Sequence, residues 1–362
     1  MNDITHLGLR RRMLLSVFSK IKHNKAKMHQ MHQLFWECTM RCNLQCRHCG
    51  SDCKSTAMHP DMPAEDFLRL VDSLMPHVDP HQMMIVITGG EPLMRRDLAQ
   101  VGKALHDRGF SWGIVTNGWL LDEARLCELL AAGMLSLTIS LDGLRDDHDW
   151  MRGRPGSFDR TWRAIELLCR TRGLTWDIDT CVNRRNYQHL DEIRQALEKV
   201  GAPRWRLLTI FPMGRAATDP DMIITDEEFH GLMQYIEKMR IDHKEGRTPL
   251  RCYYGCEGFI GKYEGQVRDH LFYCKAGVSV ASVLIDGSIS GCSSIRSDYH
   301  QGNIYQDDLW EVWQNGFQAY RDRSWMRRKQ PCSDCKLWKY CEGGGMHQRG
   351  ENDRLIICRC VE

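Results

Sequence analysis

Along the first two thirds of the chain, short apolar runs alternate with segments whose apolar residues recur every three or four positions. The short runs predict strands over Leu34–Cys38, Met83–Thr88, Ser111–Thr116, Leu135–Ser140, Trp176–Val182 and Arg204–Phe211. The periodic segments predict helices over Ala64–Leu74, Asp97–Asp107, Asp122–Ala132, Asp159–Arg170, Leu190–Val200 and Asp226–Arg240. Strands alternating with helices imply a parallel sheet with helical crossovers. Six such units are too few for a closed eight-stranded barrel. The expected fold is therefore α/β, a partial TIM-like barrel open on one side. Turn residues stand at the strand ends: Gly89-Gly90, Asn117-Gly118, Asp142-Gly143, Asn183 and Gly214. Sheets of this kind bind ligands at those ends.

The rhythm stops near Cys252. Beyond it, Ser279–Ile285 and Ser288–Gly291 flank Asp286-Gly287, which reads as a hairpin. At the other end, Arg10, Arg11, Arg12, Lys20, Lys22, Lys25 and Lys27 face Asp3 alone in residues 1–33, a formal +6. Leu9, Met13, Leu14, Val17 and Phe18 recur there at near-helical spacing. The plain reading is a helix packed on the barrel with a solvated basic face. The sharper one is an anionic partner, either an acidic leader peptide or a membrane surface. The division drawn from these changes is a basic arm at 1–33, a barrel at 34–245 and a smaller α+β domain at 246–362.

Composition narrows the picture. With 362 residues and 42% hydrophobic positions, the chain can build a large core without disulfides. Its net charge of +2 gives no general case for nucleic acid. No apolar run approaches the length of a spanning helix, and no signal peptide is legible, so the expected location is the cytoplasm. The anomaly is seventeen cysteines, five between Cys38 and Cys53 and nine between Cys252 and Cys360. An odd number of clustered thiols in a long chain of this kind points to metal rather than to a disulfide framework.

Cys42, Cys46 and Cys49 follow the first predicted strand with the spacing C-x3-C-x2-C. Three thiolates on one short loop can hold three corners of a cubane [4Fe–4S] cluster and leave the fourth iron open. A structural zinc would want a fourth ligand, for which His48, Cys53 or Cys38 is at hand. Cys127, Cys169 and Cys181 read as small buried apolar residues.

The loop, taken with Thr88-Gly89-Gly90-Glu91-Pro92-Leu93, Thr116-Asn117-Gly118 and Ser140-Leu141-Asp142-Gly143, resembles the radical S-adenosylmethionine (SAM) superfamily over Phe35 to about Gly214. The resemblance implies a cluster on Cys42, Cys46 and Cys49 whose open iron chelates SAM. It implies that Gly89, Gly90, Glu91 and Pro92 form the loop whose backbone meets the methionine amino group. Consecutive glycines suit that close approach. Asn117 belongs to the loop after the third strand. Ser140 and Arg152 match the positions that hold the ribose and carboxylate of SAM, and a guanidinium is a natural carboxylate clamp. His48 stands where an aromatic residue usually precedes the third cysteine.

The stretch from Arg251 to Cys360 resembles the SPASM extension of these enzymes, which carries auxiliary iron–sulfur clusters. Cys274 and Cys292 bracket the hairpin in a C-x12-G-x4-C pattern, and Cys332, Cys335 and Cys341 follow. Two departures stand out. Gly345 replaces the cysteine expected after Cys341, so the cluster on Cys274 and Cys292 needs other ligands, for which Cys252 and Cys256 are candidates. The distal cluster would take Cys332, Cys335, Cys341 and one of Cys358 or Cys360, with Cys358 preferred. Sulfatase-maturing relatives carry an aspartate base after the residue matching Cys292, whereas Ser293 and Ser294 follow here. A serine hydroxyl without an activating partner is a poor base.

The resemblance implies reductive cleavage of SAM to a 5′-deoxyadenosyl radical that abstracts hydrogen from a substrate. Extensions of this kind point first to a co-encoded peptide or protein substrate that is cross-linked, epimerised or oxidised. Small-molecule or cofactor biosynthesis is the alternative, and a non-catalytic electron carrier fits the motifs poorly. A flavodoxin- or ferredoxin-like electron donor is implied as well. The 41 residues before Cys42 are too few for a winged-helix leader-binding module. Any leader reader is expected to be a separate protein or the barrel's own surface.

Overall fold

The computed structural model describes residues 5–57, 59–255, 258–295 and 299–360. The chain opens with helix α1 (Leu9–Met28) and then alternates: β1 (Gln33–Glu37), α2 (Ala64–Leu74), β2 (Met84–Thr88), α3 (Leu98–Asp107), β3 (Ser111–Thr116), α4 (Glu123–Ala131), β4 (Met134–Ser140), α5 (Arg145–Arg152), α6 (Ser157–Arg170), β5 (Thr175–Val182), α7 (Leu190–Val200), β6 (Arg204–Thr209), α8 (Asp226–Lys244) and β7 (Arg251–Tyr254). The remainder holds β8 (Val280–Val283), β9 (Ser288–Ser290), β10 (Gly302–Asn303), α9 (Leu309–Asn315), α10 (Gln318–Arg321) and α11 (Trp338–Cys341).

The ten strands among the described residues form one sheet, in the order β10-β9-β8-β1-β2-β3-β4-β5-β6-β7. From β1 to β7 every pairing is parallel. The helices cover the outer face, so strands such as β2 are buried through their middle and read as unbroken apolar runs. Large rings fill the space between sheet and helices. Trp36 of β1 stacks on Phe67 of α2 with centroids 4.3 Å apart. Trp112 of β3 donates its indole N–H to the carbonyl of Ala132 and lies against Gly102 of α3, where a Cβ would overlap the ring. Polar signals fix the helix starts: Asp122 accepts from the Arg125 amide, and Thr225 and Glu228 close a capping box on α8.

Three features differ from the sequence reading. A seventh parallel strand, β7, continues the sheet beyond β6. The hairpin β8–β9 does not stand apart: β8 pairs in parallel with β1, Val280 opposite Gln33 and Val283 opposite Trp36. The sheet thus crosses the boundary drawn at 245/246. Finally, α1 packs on the C-terminal extension rather than on the barrel. Lys22, expected on a solvated face, is buried, donates to the carbonyl of Tyr340 and pairs with Glu342 at 3.0 Å.

Candidate active site

The loop after β1 carries Cys42, Cys46 and Cys49, and neighbouring strand ends cage its backbone. The amide of Gly90 donates to Thr39 O at 2.6 Å, and that of Glu91 donates to Arg41 O at 2.9 Å. A Cβ on Gly89 would overlap Thr39 O, and one on Gly90 would overlap Arg41 O. The paired glycines are therefore needed where two backbones meet. From the C-terminus of α5, Met151 O and Arg152 O accept the amides of Arg47 and Gln45. After β6, the Arg215 amide donates to Cys49 O, and its guanidinium donates to Cys46 O and Cys53 O. Gly214, already marked as a strand-end turn, admits this approach: a Cβ there would lie 2.5 Å from Cys49 O.

Glu91 sets the next layer. It is buried and accepts from the amides of Leu93 and Asn117 and from the Thr116 hydroxyl. Burial raises its pKa against these three bonds. Its carboxylate is spent on tying the end of β2 to the end of β3, so its contribution to a cofactor site is placement of the loop that Pro92 continues. Asn117, placed in this way, donates to Asn43 Oδ1 at 2.9 Å and reaches the Cys42 sulfur at 3.9 Å.

Arg152 ends α5 and is buried; it forms an ion pair with Oδ2 of Asp142 at 2.8 Å and donates to the Cys46 sulfur at 3.7 Å. Asp142 also accepts from the Cys181 amide, and its own amide donates to Nδ1 of His148. Its pKa falls below the usual carboxylate range although burial opposes this, because Arg152 is adjacent. His48 stands 3.9 Å from Asp142, and burial pushes its pKa down to about 4, so the ring is neutral at pH 7. Ser140 ends β4 opposite Asp179. The sequence reading did not name Asp142, Asn43 or Arg215 as site groups. Asp142 was visible as a turn residue and as part of the Ser140–Gly143 motif, with no role of its own.

These residues fit a cluster and its chelating ligand. Cys42, Cys46 and Cys49 gather on one loop, and beside them Nδ2 of Asn43, Nδ1 of His48 and Nε of Arg152 are buried without a hydrogen-bond partner among the described residues. That unused polar capacity suits a polar ligand lying over the sulfurs. Burial pushes the Cys42 thiol up to about 12, whereas a hydrogen bond from Cys53, aided by Arg215, brings Cys49 down to about 5 despite its burial. Cys38 lies in the main core, behind Arg95, which donates to its carbonyl.

In front of the loop is a cavity of about 360 Å³. The barrel contributes Glu37, His48, Thr88, Gly89, Cys181 and the run from Leu208 to Phe211. The extension contributes Ser293, Ser294 and His347. His347 was not foreseen; its ring lies 4.8 Å from that of Phe211.

The extension brings its cysteines together in two places. Cys274 and Cys292 both lie within electrostatic reach of Tyr320, and the amide of Met346 donates to the Cys274 sulfur at 3.5 Å. Gly345, the site of the expected cysteine, is thus next to Cys274. Burial would raise the Cys274 thiol, but Arg323 and the neighbouring amides outweigh it and hold the thiol below its ordinary value. Cys332, Cys335, Cys341, Cys358 and Cys360 line a second, small void of about 20 Å³. Cys360 donates to Phe259 O, and Cys332 accepts from Arg349. Cys252 is not brought to either place. It is fully buried in β7 within the main core, and its neighbouring charge is Arg240 of α8. Cys256 lies outside the described residues.

Residues 36–197 match the radical SAM superfamily, and residues 274–336 match SPASM, an iron–sulfur cluster-binding domain. The chain thus carries a radical SAM domain and a SPASM-type extension. Its cofactors are accordingly a [4Fe–4S] cluster with SAM and auxiliary iron–sulfur clusters. Among curated relatives, it is 27% identical over 329 residues to the AdoMet-dependent heme synthase of Oleidesulfovibrio alaskensis, covering 87% of this chain and 82% of that one. It is 28% identical over 321 residues to the mycofactocin maturase MftC of Mycolicibacterium smegmatis, covering 86% and 77%. Among solved structures, SuiB of Streptococcus suis bound to S-adenosylmethionine superposes with a TM-score of 0.71 at 18% identity, over 96% of this chain and 82% of that one, a likeness of fold. No described helix is long and apolar enough to cross a membrane.

Proposed function

We propose that this chain is an enzyme that modifies a side chain of a peptide or protein presented to the cavity between barrel and extension. In this reading Cys42, Cys46 and Cys49 hold the SAM cluster. Bound there, cluster and SAM supply a 5′-deoxyadenosyl radical that abstracts a hydrogen atom, with electrons from a flavodoxin- or ferredoxin-like donor. The chain's own task is placement and exclusion of water. Gly89 and Gly90 let the main chain close on the cysteine loop. Arg152 and Asn117 face the sulfurs with donors, and His48 stays neutral beside them. Cys274 and Cys292 serve the proximal auxiliary cluster, with Cys256 as a further ligand. Cys332, Cys335, Cys341 and Cys358 serve the distal one.

The observation that carries the substrate class is the cavity lining. Leu208, Ile210, Phe211 and Met213 face Ser293, Ser294 and His347, and no lysine or arginine lines the cavity among the described residues. An apolar wall with neutral hydroxyls suits an amino-acid side chain. MftC, a maturase similar over most of the chain, supports this reading. The similarity to heme synthase favours a second reading, a tetrapyrrole substrate. Tetrapyrroles of that pathway carry several carboxylates, for which this cavity offers Glu37 and no described cation.

The test is direct. Reconstituted enzyme, SAM and reductant are incubated with co-encoded peptides and, separately, with iron coproporphyrin III. A peptide losing two hydrogens, or exchanging one for deuterium, supports the proposal. Unchanged peptides, with 5′-deoxyadenosine formation stimulated by the porphyrin, assign the second reading.

A further inference from the structure

Helix α1 turns an apolar face to solvent. Its inner face buries Leu15, Ser19 and Lys22. On the outer face Leu9, Met13, Val17 and Ile21 recur at every fourth position, so their side chains form one stripe along the helix. They are 69%, 59%, 60% and 46% exposed, and Leu14 and Met28 widen the stripe. Six of the eleven large hydrophobic side chains exposed among the described residues belong to this one helix. Scattered apolar residues need no explanation, but a contiguous exposed stripe does.

The stripe has a cationic rim. Arg10, Arg12, Lys20, Lys25 and Lys27 are exposed beside it. Among the described residues, Arg10, Lys20 and Lys27 have no ion-pair partner. No aspartate or glutamate occurs between Asp3 and Glu37, so nothing on the helix neutralises them.

We propose that α1 docks the protein on an anionic membrane surface, with the stripe at the boundary of headgroups and acyl chains and the cations against lipid phosphates. Stripe and rim run together along a helix of 20 residues, roughly 30 Å at the usual rise per residue. An apolar stripe edged by cations is what a helix lying in a bilayer interface requires. An acidic peptide would answer the cations but leave the stripe in water. A second copy would cover the stripe only by bringing two cationic rims together. The proposal is independent of which substrate the cavity takes.

The test uses the full chain in flotation with phosphatidylcholine vesicles, with and without phosphatidylglycerol. Binding should strengthen about tenfold or more with the anionic lipid and weaken as salt is raised. Both the Met13→Ser/Val17→Ser variant and the Arg10→Gln/Lys20→Gln/Lys27→Gln variant should lose it. All five positions are exposed, so the melting temperature should stay put and show that the variants are folded. Equal binding to neutral vesicles, or retention of binding in the serine variant, overturns the proposal. So does the absence of vesicle binding, whether or not sedimentation velocity shows a self-association that the serine variant abolishes.

Discussion

Nη2 of Arg152 lies 2.8 Å from Oδ2 of Asp142, with both side chains buried beside the cysteine loop. The arginine that the motif offers as a clamp for the SAM carboxylate is therefore already neutralised by a group of its own chain. A second carboxylate arriving there meets a guanidinium shared with Asp142 and Cys46.

Asp142→Asn should thus do two things. It leaves a buried guanidinium without its counter-charge, which costs on the order of 3–5 kcal/mol. Denaturant unfolding of the apo protein measures that loss. It also alters the charge beside the SAM site, so the KM for SAM in 5′-deoxyadenosine formation should change. An unchanged denaturation midpoint would show that Asp142 does not compensate Arg152.

Gly90→Ala tests the cage around the cysteine loop. Its Cβ would overlap Arg41 O, one residue before Cys42, and backbone cannot yield as a flexible side chain does. The variant should keep its secondary structure, lose the iron of the SAM cluster and make no 5′-deoxyadenosine. Gly173→Ala is the control, since a Cβ there meets nothing within 4 Å. Its positive φ makes it mildly strained, but it should keep its iron.

Iron content separates the thiols. Reconstituted protein should hold about eight to twelve irons per chain, from two or three cubanes. Joint replacement of Cys42, Cys46 and Cys49 by alanine should remove about four of these and all SAM cleavage. Cys341→Ala should remove a similar number while leaving SAM cleavage measurable. Cys252→Ala should lose no iron, because that thiol faces α8 from the core. Iron lost from the Cys252 variant would mean that β7 contributes to a cluster.

The pH dependence of the apo protein follows from its buried histidines. Burial pushes His148 down to about 3 and His48 to about 4, below the ordinary value of about 6.5. Their folded-state pKa values are depressed, so the unfolded chain takes up protons that the folded chain refuses. Their contribution to stability should be steady above about 6.5 and fall as pH drops toward about 4. Denaturant titrations at both ends of that window check the sign, and His148→Gln should flatten the slope.

The βα rhythm was legible because each strand is a short apolar run and each crossover helix keeps one apolar face. What escaped was short or polar. β7 is four residues long and no helix follows it within the sheet. α5, which carries Arg152, reads RDDHDWMR, a short and strongly polar segment in which only Trp150 and Met151 are apolar. The pairing of β8 with β1 joins Val280 to Gln33, and nothing local marks so distant a partner. In the site, the cysteine and glycine motifs were visible because their spacing is itself chemical. Asp142 and Arg215 act through three-dimensional neighbours, and His347 enters the cavity only because the extension folds back over the barrel.

His347 allows the two walls of the cavity to be tested separately. The barrel wall, with Gly89 and His48, adjoins the cysteine loop, whereas His347 comes from the extension and packs on Phe211. Burial, with Arg323 nearby, pushes His347 down to about 4. At pH 7 it is a neutral ring able to donate or accept one hydrogen bond, not a cation. Its removal should therefore leave the SAM side intact. In His347→Ala, 5′-deoxyadenosine formed without substrate should stay within about twofold of the parent, while substrate modification falls by about tenfold or more, the scale of one lost positioning contact. His347→Gln, which restores a neutral hydrogen-bonding group, should recover part of the modification. An equal loss of both activities in the alanine variant would instead place His347 in the support of the SAM cluster.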